Sequence, residues 1–378
     1  MMKRLAILVL AVCVLMCGAT ALASEEDEYL CTLYDDGVKV LAYYGSDTTV
    51  VIPETLSGYP VRALDEFFSQ YSTSSDVEVL VIPDCLTTVM PNALFDFPNL
   101  QSIEISPNNE GLEFVDSILY DKINHALIMA CPTKTSGALV IPQGVQSVCE
   151  GAFLRCGITS VSFPDSLTRI DKAAFKYCDK LSEVNLPEGL IELGNNAFFD
   201  CDAIETVRIP STVTTIGKNP FEGCSGLKSI EVAEGNGAYA AVDGALICTL
   251  DGTLVCYPCG KSDASSYAVP EGVKVIGPGA FRSCKSLEEI TLPEGLTEIG
   301  DDAFEGLDKL RSLELPGTVT TIGWSSFLSC WDLETLTIPA SVRKIKNLGV
   351  NSSTTVRVAA GSYAEQFCKE NGINYENY

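Results

Sequence analysis

The amino-acid sequence predicts an α/β repeat protein, a strand-rich solenoid whose short strands alternate with short helical or 3₁₀ turns. Near-identical segments recur along the chain, such as AFKYCDKLSEVNLP from Ala174 and AFRSCKSLEEITLP from Ala280. A proline that ends a short apolar stretch recurs every 22 or 23 residues from Pro142 to Pro210 and from Pro270 to Pro339. A fixed period in this range is typical of stacked repeats, each of which buries its apolar edge against the next.

One turn, SLEEITLPEGLTEIGDDAFEGLD from Ser286, shows how the elements follow one another. Ile290 and Leu292 alternate with polar residues, as in a half-buried strand, and Pro293 ends that strand because it lacks an N–H. A second short extended piece follows. Gly300 then allows a tight bend, and the Asp-Asp-Ala-Phe segment is predicted to form one helical or 3₁₀ turn.

The residues that recur in each repeat are predicted to contact the equivalent residues one turn away. Stacking at about 4.8 Å merges the apolar edges into one continuous core and leaves the variable positions in water. The recurring phenylalanines should form one buried column, made of Phe153, Phe175, Phe198, Phe221, Phe281, Phe304 and Phe327.

Two related inserts interrupt the period, at 107–135 and 234–263. Each has two apolar runs around a turn signal, which is Asp251-Gly252 in the second insert, so each is predicted to form a β-hairpin. The repeat solenoid should extend over 61–350, with these inserts within it.

The two ends of the solenoid require covers, because an exposed core edge would aggregate. Residues 24–60 are predicted to form an N-terminal β cap with two strands around Asp36-Gly37. Residues 351–378 are predicted to form a C-terminal cap with a short helix that begins near Ser362 and ends at Gly372.

The first 23 residues have the features of a secretory signal peptide. Lys3 and Arg4 precede an apolar run, and Ala21-Leu22-Ala23 provides small residues before the predicted cut after Ala23. We therefore expect a secreted or extracellular surface protein. No later stretch is apolar enough to suggest a transmembrane segment.

The charge of the chain disfavours nucleic acid and anionic lipid as partners. The full chain has 25 basic and 50 acidic side chains, and removing Lys3 and Arg4 lowers the net charge from −25 to −27. Such a chain repels phosphates, so the charge serves solubility. We expect a monomer.

The sequence offers no recognisable catalytic, cofactor or metal site, and the protein is predicted not to be an enzyme. His125 is the single histidine and falls at the tip of the first hairpin. Acidic pairs such as Asp301-Asp302 occupy variable positions, where solvation explains them. Neither a phosphate loop nor a calcium loop is present.

Fourteen cysteines follow the signal peptide, and several recur three residues after the repeat phenylalanine: Cys156, Cys178, Cys201, Cys224, Cys284 and Cys330. Phe97 and Leu307 occupy the same position in other turns, so buried thiols are expected there. A disulfide ladder between turns remains an alternative, because the stacking distance permits it.

The Cys256-Tyr257-Pro258-Cys259 segment ends a predicted hairpin strand, where a redox thiolate lacks a helix N-terminus to stabilise it. A local disulfide and ordinary thiols both fit the segment. Whether Cys248, Cys256 and Cys259 form a disulfide stays open.

Turns such as ITLPEGLTEIGDDAFEGLDKL, the Ala-Phe-x-x-Cys element, the two inserts and the closing GSYAEQFCKENGI resemble the BspA-like leucine-rich repeat family. The resemblance covers the mature chain. It implies a right-handed leucine-rich repeat solenoid on exported or surface proteins, mainly bacterial, some of which bind host proteins or other cells.

The function predicted from these features is non-enzymatic, adhesin-like binding of proteins or glycans at a cell surface. The alternative is a structural spacer in an envelope assembly without a diffusible ligand. The candidate ligand face comprises the more polar outward strand residues Asn185, Arg208, Glu289, Thr291, Glu314 and Thr337.

Overall fold

The computed structural model describes residues 21–23, 28–34, 36–66, 68–72, 76–261 and 264–378. The charged and apolar parts of the predicted signal peptide, residues 1–20, lie outside the described residues. None of the described helices is long and apolar enough to cross a membrane.

Short strands make up most of the regular structure, and they follow one another along the chain with few helices between them. The first third contains β1 Ala21–Ala23, β2 Tyr29–Tyr34, β3 Gly37–Tyr43, β4 Thr49–Val51, β5 Thr55–Leu56, β6 Tyr59–Leu64, β7 Val79–Ile82, β8 Thr88–Val89, β9 Ser102–Ile105, β10 Leu112–Val115, β11 Ile118–Asp121 and β12 Ala126–Ala130. The middle contains β13 Ser136–Val140, β14 Ser147–Val148, β15 Gly157–Ser162, β16 Arg169–Ile170, β17 Glu183–Asn185, β18 Glu192–Leu193, β19 Thr206–Ile209, β20 Thr215–Ile216, β21 Ser229–Val232, β22 Tyr239–Val242, β23 Ala245–Cys248 and β24 Thr253–Cys256. The last third contains β25 Ser266–Ala268, β26 Val275–Ile276, β27 Glu289–Thr291, β28 Glu298–Ile299, β29 Ser312–Glu314, β30 Thr321–Ile322, β31 Thr335–Ile338, β32 Lys344–Ile345, β33 Thr355–Val358 and β34 Tyr375–Asn377. The described helices are α1 Phe68–Tyr71 and α2 Tyr363–Asn371.

The repeats stack as a strand-rich solenoid with two parallel ladders. One ladder joins the strands that end at the repeat proline, where Ala268 on β25 is opposite Thr291 on β27. The other joins the two-residue strands, where Ile276, Ile299 and Ile322 follow one another on β26, β28 and β30. Equivalent residues therefore face each other across successive turns.

The Ala-Phe segment is neither helical nor 3₁₀, so that prediction was wrong. Ala173 and Tyr177 adopt φ of 54° and 62°, which interrupts any helical run. The segment instead forms a third inter-turn ladder, in which the N–H of Phe175 donates to the Ala197 carbonyl at 2.7 Å. The Tyr177 N–H likewise donates to the Phe199 carbonyl at 2.8 Å. These bonds offset the cost of left-handed residues.

A glycine is required at position 300 because two turns approach each other closely there. The bend predicted at Gly300 is not the reason. A Cβ on Gly300 would lie 2.6 Å from the backbone nitrogen of Pro278, one turn earlier. A Cβ on Gly323 would likewise lie 2.5 Å from the backbone nitrogen of Asp301. A side chain here would push the turns apart.

The phenylalanine rings stack as predicted, but in two runs and not in one column: Phe153 to Phe221 before the second insert and Phe281 to Phe327 after it. The rings of Phe153 and Phe175 lie 4.9 Å apart between centroids and 8° from parallel, and Phe198 continues the stack at 4.9 Å. After the second insert, Phe281 and Phe304 stack at 5.4 Å. All of these rings are fully buried.

The core is divided, contrary to the predicted single interior, because both faces of each insert are buried. In β23, Leu246 packs with the core that precedes the insert, whereas Ala245 and Ile247 pack with the core that follows it. In β11, Ile118 and Leu119 point into different cores in the same way. Each insert therefore forms a partition between two blocks of core.

Each insert contributes three antiparallel strands, one more than the predicted hairpin. β10, β11 and β12 pair in order in the first insert, and β22, β23 and β24 do so in the second. The additional first strands were missed because β10 and β22 are only four residues long, and in each strand only the first residue is buried. The last strand of each insert begins the parallel ladder of the next block.

At the N-terminal end, β2 and β3 pair antiparallel, with Gly37 already paired to Tyr34. The predicted cleavage point after Ala23 falls at the end of β1, which pairs with β2. At the C-terminal end, α2 begins and ends where the sequence predicts. The Ser362 side chain accepts the Glu365 N–H at 3.2 Å, and Gly372 follows the helix with φ of 64°.

Candidate binding site

The predicted ligand-face residues all lie on the outer face of the strand ladder. Asn185 and Arg208 belong to β17 and β19, before the second insert. Glu289, Thr291, Glu314 and Thr337 lie on β27, β29 and β31, after it. All are exposed except Thr337, which is half-buried.

The structure does not bring the six residues together into one cluster. Glu314 is directly opposite Thr337, whereas the second insert separates Arg208 from Glu289. Arg208 also forms an ion pair with Glu188 at 2.8 Å, which occupies one of its guanidinium nitrogens. The strand face thus offers two short polar patches.

A more concentrated group of side chains lies on the ridge formed by the Ala-Phe segments, at the position after each repeat phenylalanine. Lys176 places its Nζ 4.6 Å from the centroid of the Phe199 ring, and the Arg282 guanidinium lies 5.3 Å from the same centroid. Tyr177 packs edge-on against Phe199 at 5.7 Å. Cations over aromatic faces attract the ring electrons, so this arrangement is a stable surface feature.

Arg282 and Phe199 meet because the ridge closes over the second insert. Asn219 donates from Nδ2 to the Gly279 carbonyl at 2.8 Å, although 60 residues separate them. Arg282 forms an ion pair with Glu222 across the same junction, and a second with Glu305 at 3.2 Å. Burial raises the pKa of the Glu305 carboxyl, although the nearby Arg282 charge opposes that rise.

A polar groove of about 400 Å³ opens at this junction. Phe199 and Trp324 supply its aromatic surface, and Trp324 is 53% exposed. Lys176 and Lys218 also line the groove, and neither forms an ion pair within the described residues. The groove therefore combines the exposed ring of Trp324 with two lysines in an otherwise acidic molecule, while Lys176 and Arg282 lie over the half-buried ring of Phe199.

Sequence reasoning missed this groove because its members come from turns on both sides of the second insert. The available signal was the position directly after the repeat phenylalanine, which carries Lys176, Phe199, Glu222, Arg282 and Glu305 in the turns involved. The prediction that Asp301 and Asp302 are simply solvated was also wrong. Both are half-buried, and Asp301 accepts hydrogen bonds from the Trp324 N–H and from Lys346 Nζ.

The recurring cysteines are all buried, as predicted, and all but one of them are free thiols. Cys201 donates from Sγ to the Phe175 carbonyl at 3.0 Å, and Cys224 donates to the Phe198 carbonyl at 3.0 Å. Burial raises the pKa of both thiols well above the ordinary value. Such thiols pack as small apolar groups and resist ionisation.

The exception is Cys284, predicted to be a free thiol, which forms a disulfide with Cys259 of the preceding turn. Their Cα atoms lie 4.3 Å apart, within the distance that stacked turns provide. Cys256 and Cys248 are free, so a local disulfide within the Cys-Tyr-Pro-Cys segment is not formed.

Residues capable of metal or acid–base chemistry remain dispersed. His125 lies in the turn between β11 and β12, with φ of 52°, and is exposed. Among the described residues, no group of three or more His, Cys, Asp or Glu side chains could hold a metal ion.

Known proteins resemble this chain in sequence repeat and in fold. The family model of the BspA type leucine rich repeat region matches residues 121–238 and 257–359, in six copies, which is more than half of the chain. No curated protein sequence matches the chain.

Two crystal structures show the same fold at low identity. A leucine rich cell surface protein from Faecalibacterium prausnitzii A2-165 is 22% identical, with 95% of this chain and 94% of that chain covered and a TM-score of 0.55. A leucine-rich repeat protein from Eubacterium ventriosum ATCC 27560 is 20% identical, with 90% and 80% covered and a TM-score of 0.51.

Proposed function

Because this chain belongs to the BspA type leucine rich repeat family, we propose that it is a non-enzymatic, exported protein that binds a protein or glycan at a cell surface. The observation that carries this proposal is the ridge groove, where Phe199 lies between Lys176 and Arg282 and Trp324 is exposed. Phe199 is half-buried, whereas an exposed tryptophan such as Trp324 beside charged donors is the residue type that anchors interfaces.

The repeat framework supports this role because it holds the groove on three ladders of backbone hydrogen bonds. The ring of Phe199 is thereby fixed without contact from a ligand, which reduces the entropy lost on binding. We also propose that the solenoid is right-handed, with 24–60 and 351–378 as its caps. The strand-face residues Asn185, Arg208, Glu289, Thr291, Glu314 and Thr337 are a second proposed contact surface.

The test is binding of the purified chain without residues 1–23 to arrays of glycans and extracellular matrix proteins, and to cells. We expect saturable binding that Phe199→Ala weakens about tenfold or more, as for a central interface aromatic. Leu328→Ala is the matched control, because Leu328 is exposed and also follows a repeat phenylalanine. Equal loss in both variants, or no saturable binding, would overturn the proposed role.

A structural spacer makes a different prediction from a binding protein. A spacer would be recovered only in envelope complexes with its assembly partners, and Phe199→Ala would leave that recovery unchanged. Fractionation of the producing cells with both variants separates the two functions.

A further inference from the structure

We propose that the first insert creates a slot that binds an extended peptide of a partner protein by strand addition to β13. The peptide would carry apolar side chains at alternate positions and a Lys or Arg at one end. This site lies on another part of the solenoid from the ridge groove, and it does not depend on the function proposed for that groove.

The edge of β13 that faces the insert is unpaired. The opposite edge of β13 pairs with β15. The Ile141 N–H, directly after β13, continues this ladder and donates to the Ser162 carbonyl at 3.0 Å. Parallel strands direct the backbone groups of alternate residues to opposite edges, so those of Ala138 and Val140 point away from β15. Neither residue has a backbone partner within the described part of the chain, and Val140 is 72% exposed.

A cavity of about 660 Å³ lies between this edge and the face of the insert sheet. Ile118 and Tyr120 of β11 and the half-buried Leu139 give it an apolar floor. Val115 of β10, which pairs with Ile118, lies at the side of the cavity and is 45% exposed. The space is large enough for several side chains of an added strand.

A buried polar group without a partner also lines the slot. The Thr135 side chain is 5% exposed, and its Oγ1 has no hydrogen-bond partner. A buried hydroxyl left unpaired costs about 1–3 kcal/mol, so a ligand that satisfies it gains affinity. The hydroxyl therefore indicates a polar occupant, such as a peptide group.

The second insert shows the same position filled. Tyr267 replaces Leu139 at the equivalent place on β25, since both precede by one residue the last paired residue of their strand. The Tyr267 ring is buried and packs 4.6 Å from the ring of Tyr257. Leu139 is smaller than Tyr267, so the first insert has less side-chain volume at this position than the second.

The acidic side chains of the slot favour a basic residue at one end of the peptide. Glu113 and Asp116 line the slot and form no ion pair within the described residues. Two lysines also line the slot: Lys122 already donates to the Asn109 carbonyl at 2.7 Å, and Lys134 directly precedes Thr135 on the β13 side. A Lys or Arg of the peptide would pair with the two free carboxylates.

The experiment measures binding of a fluorescent seven-residue peptide, in which valine alternates with threonine and one end carries a lysine, by anisotropy at physiological salt. A peptide of identical charge with its alternate amides N-methylated is the control, because an acidic protein attracts any basic peptide. We expect the unmodified peptide to bind saturably and the methylated peptide to bind about tenfold or more weakly.

Two protein variants locate the site. Val140→Pro removes an outward N–H without touching the ladder to β15, and Ala268→Pro makes the equivalent change on β25. We expect Val140→Pro to weaken binding about tenfold and Ala268→Pro to leave it unchanged. Leu139→Tyr, which copies Tyr267, should also block the slot.

Equal binding of both peptides, or equal effects of both proline variants, would overturn the inference. Dimerisation of the free chain that Val140→Pro abolishes would show that a second copy occupies the edge, which also contradicts it. Cell binding that is lost in Phe199→Ala and kept in Val140→Pro would support the ridge groove separately, so the two proposals can fail independently.

Discussion

The thiol of Cys201 donates a hydrogen bond to the backbone carbonyl of Phe175, one turn earlier, at 3.0 Å. Both residues are fully buried. The bond satisfies a carbonyl at the centre of the phenylalanine column, and the same bond links Cys330 to Phe304. The recurring cysteine therefore serves both packing and hydrogen bonding.

The change Cys201→Ala should lower the free energy of unfolding by about 1–3 kcal/mol, because it removes this hydrogen bond and leaves a small cavity. Cys85→Ala is the control, since Cys85 is half-exposed and its thiol donates to the Glu54 carbonyl near the surface. Urea unfolding followed by circular dichroism measures both. An equal effect of the two changes would contradict the role assigned to Cys201.

Thiol reactivity should separate the buried cysteines from the disulfide. In the native protein, iodoacetamide should modify Cys85 and spare Cys201 and Cys224, because burial raises the pKa of the latter two thiols and also excludes the reagent. In denaturant without reductant, Cys201 and Cys224 should react, whereas Cys259 and Cys284 should stay protected. Mass spectrometry of the modified peptides tests this, and labelling of Cys284 before reduction would contradict it.

The close approach at Gly300 should make Gly300→Ala strongly destabilising. Its Cβ would lie 2.6 Å from the Pro278 nitrogen, which is backbone and cannot rotate away. We expect a loss of about 1–3 kcal/mol, as for overpacked sites. At Gly317 an added Cβ meets no atom within 4 Å, so Gly317→Ala should change stability little. Thermal unfolding of the two variants provides the comparison, and equal unfolding temperatures would contradict the close approach.

Stability should rise as the pH falls through the folded pKa values of Asp302 and Glu305. Burial raises the pKa of Asp302 and Glu305, so these carboxyls bind protons more tightly in the folded chain than in the unfolded chain. Their contribution to stability is present below the unfolded pKa, near about 4, and is lost as the pH rises through the folded pKa. Relief of the acidic net charge acts in the same direction.

Below about pH 4 the trend should reverse. The hydrogen bond from Arg208 lowers the pKa of Glu188, so protonation of Glu188 then costs stability. Calorimetry from pH 8 to pH 3 should show a maximum in the unfolding temperature, and Glu305→Gln should flatten the rise on the alkaline side of that maximum. A steady decrease from pH 8 downwards would contradict this assignment.

Sequence reasoning succeeded where a residue contacts its own copy in the next turn. The Phe175 and Phe198 rings stack because the period places them there, and the capped helix from Tyr363 follows from local signals at Ser362 and Gly372. Periodicity alone determines the contacts within the column.

It failed where the conformation or the partner is not periodic. The left-handed φ of Tyr177 contradicts the preference of a bulky residue, and the ladder between turns stabilises it. The disulfide between Cys259 and Cys284 and the contact of Phe199 with Arg282 both involve residues displaced by the second insert. An interrupted period hides which residues become neighbours.

The division of the core also escaped prediction for a physical reason. Strand β12 reads Ala-Leu-Ile-Met-Ala, an apolar run that fits a strand buried on both faces as well as a lone hairpin strand. Only the packing of Leu127 and Ile128 into different core blocks distinguishes them.

The most direct test of stacking as the source of stability is a double-mutant cycle on the phenylalanine column. The first pair of substitutions, Phe175→Leu with Phe198→Leu, removes two rings whose centroids lie 4.9 Å apart. The control pair, Phe175→Leu with Phe304→Leu, changes two rings that belong to different core blocks. We expect a coupling energy of about 0.5–1.5 kcal/mol for the first pair and additivity within about 0.5 kcal/mol for the second. Equal coupling in the two pairs, or none in the first, would contradict a stabilising role for the stacked rings.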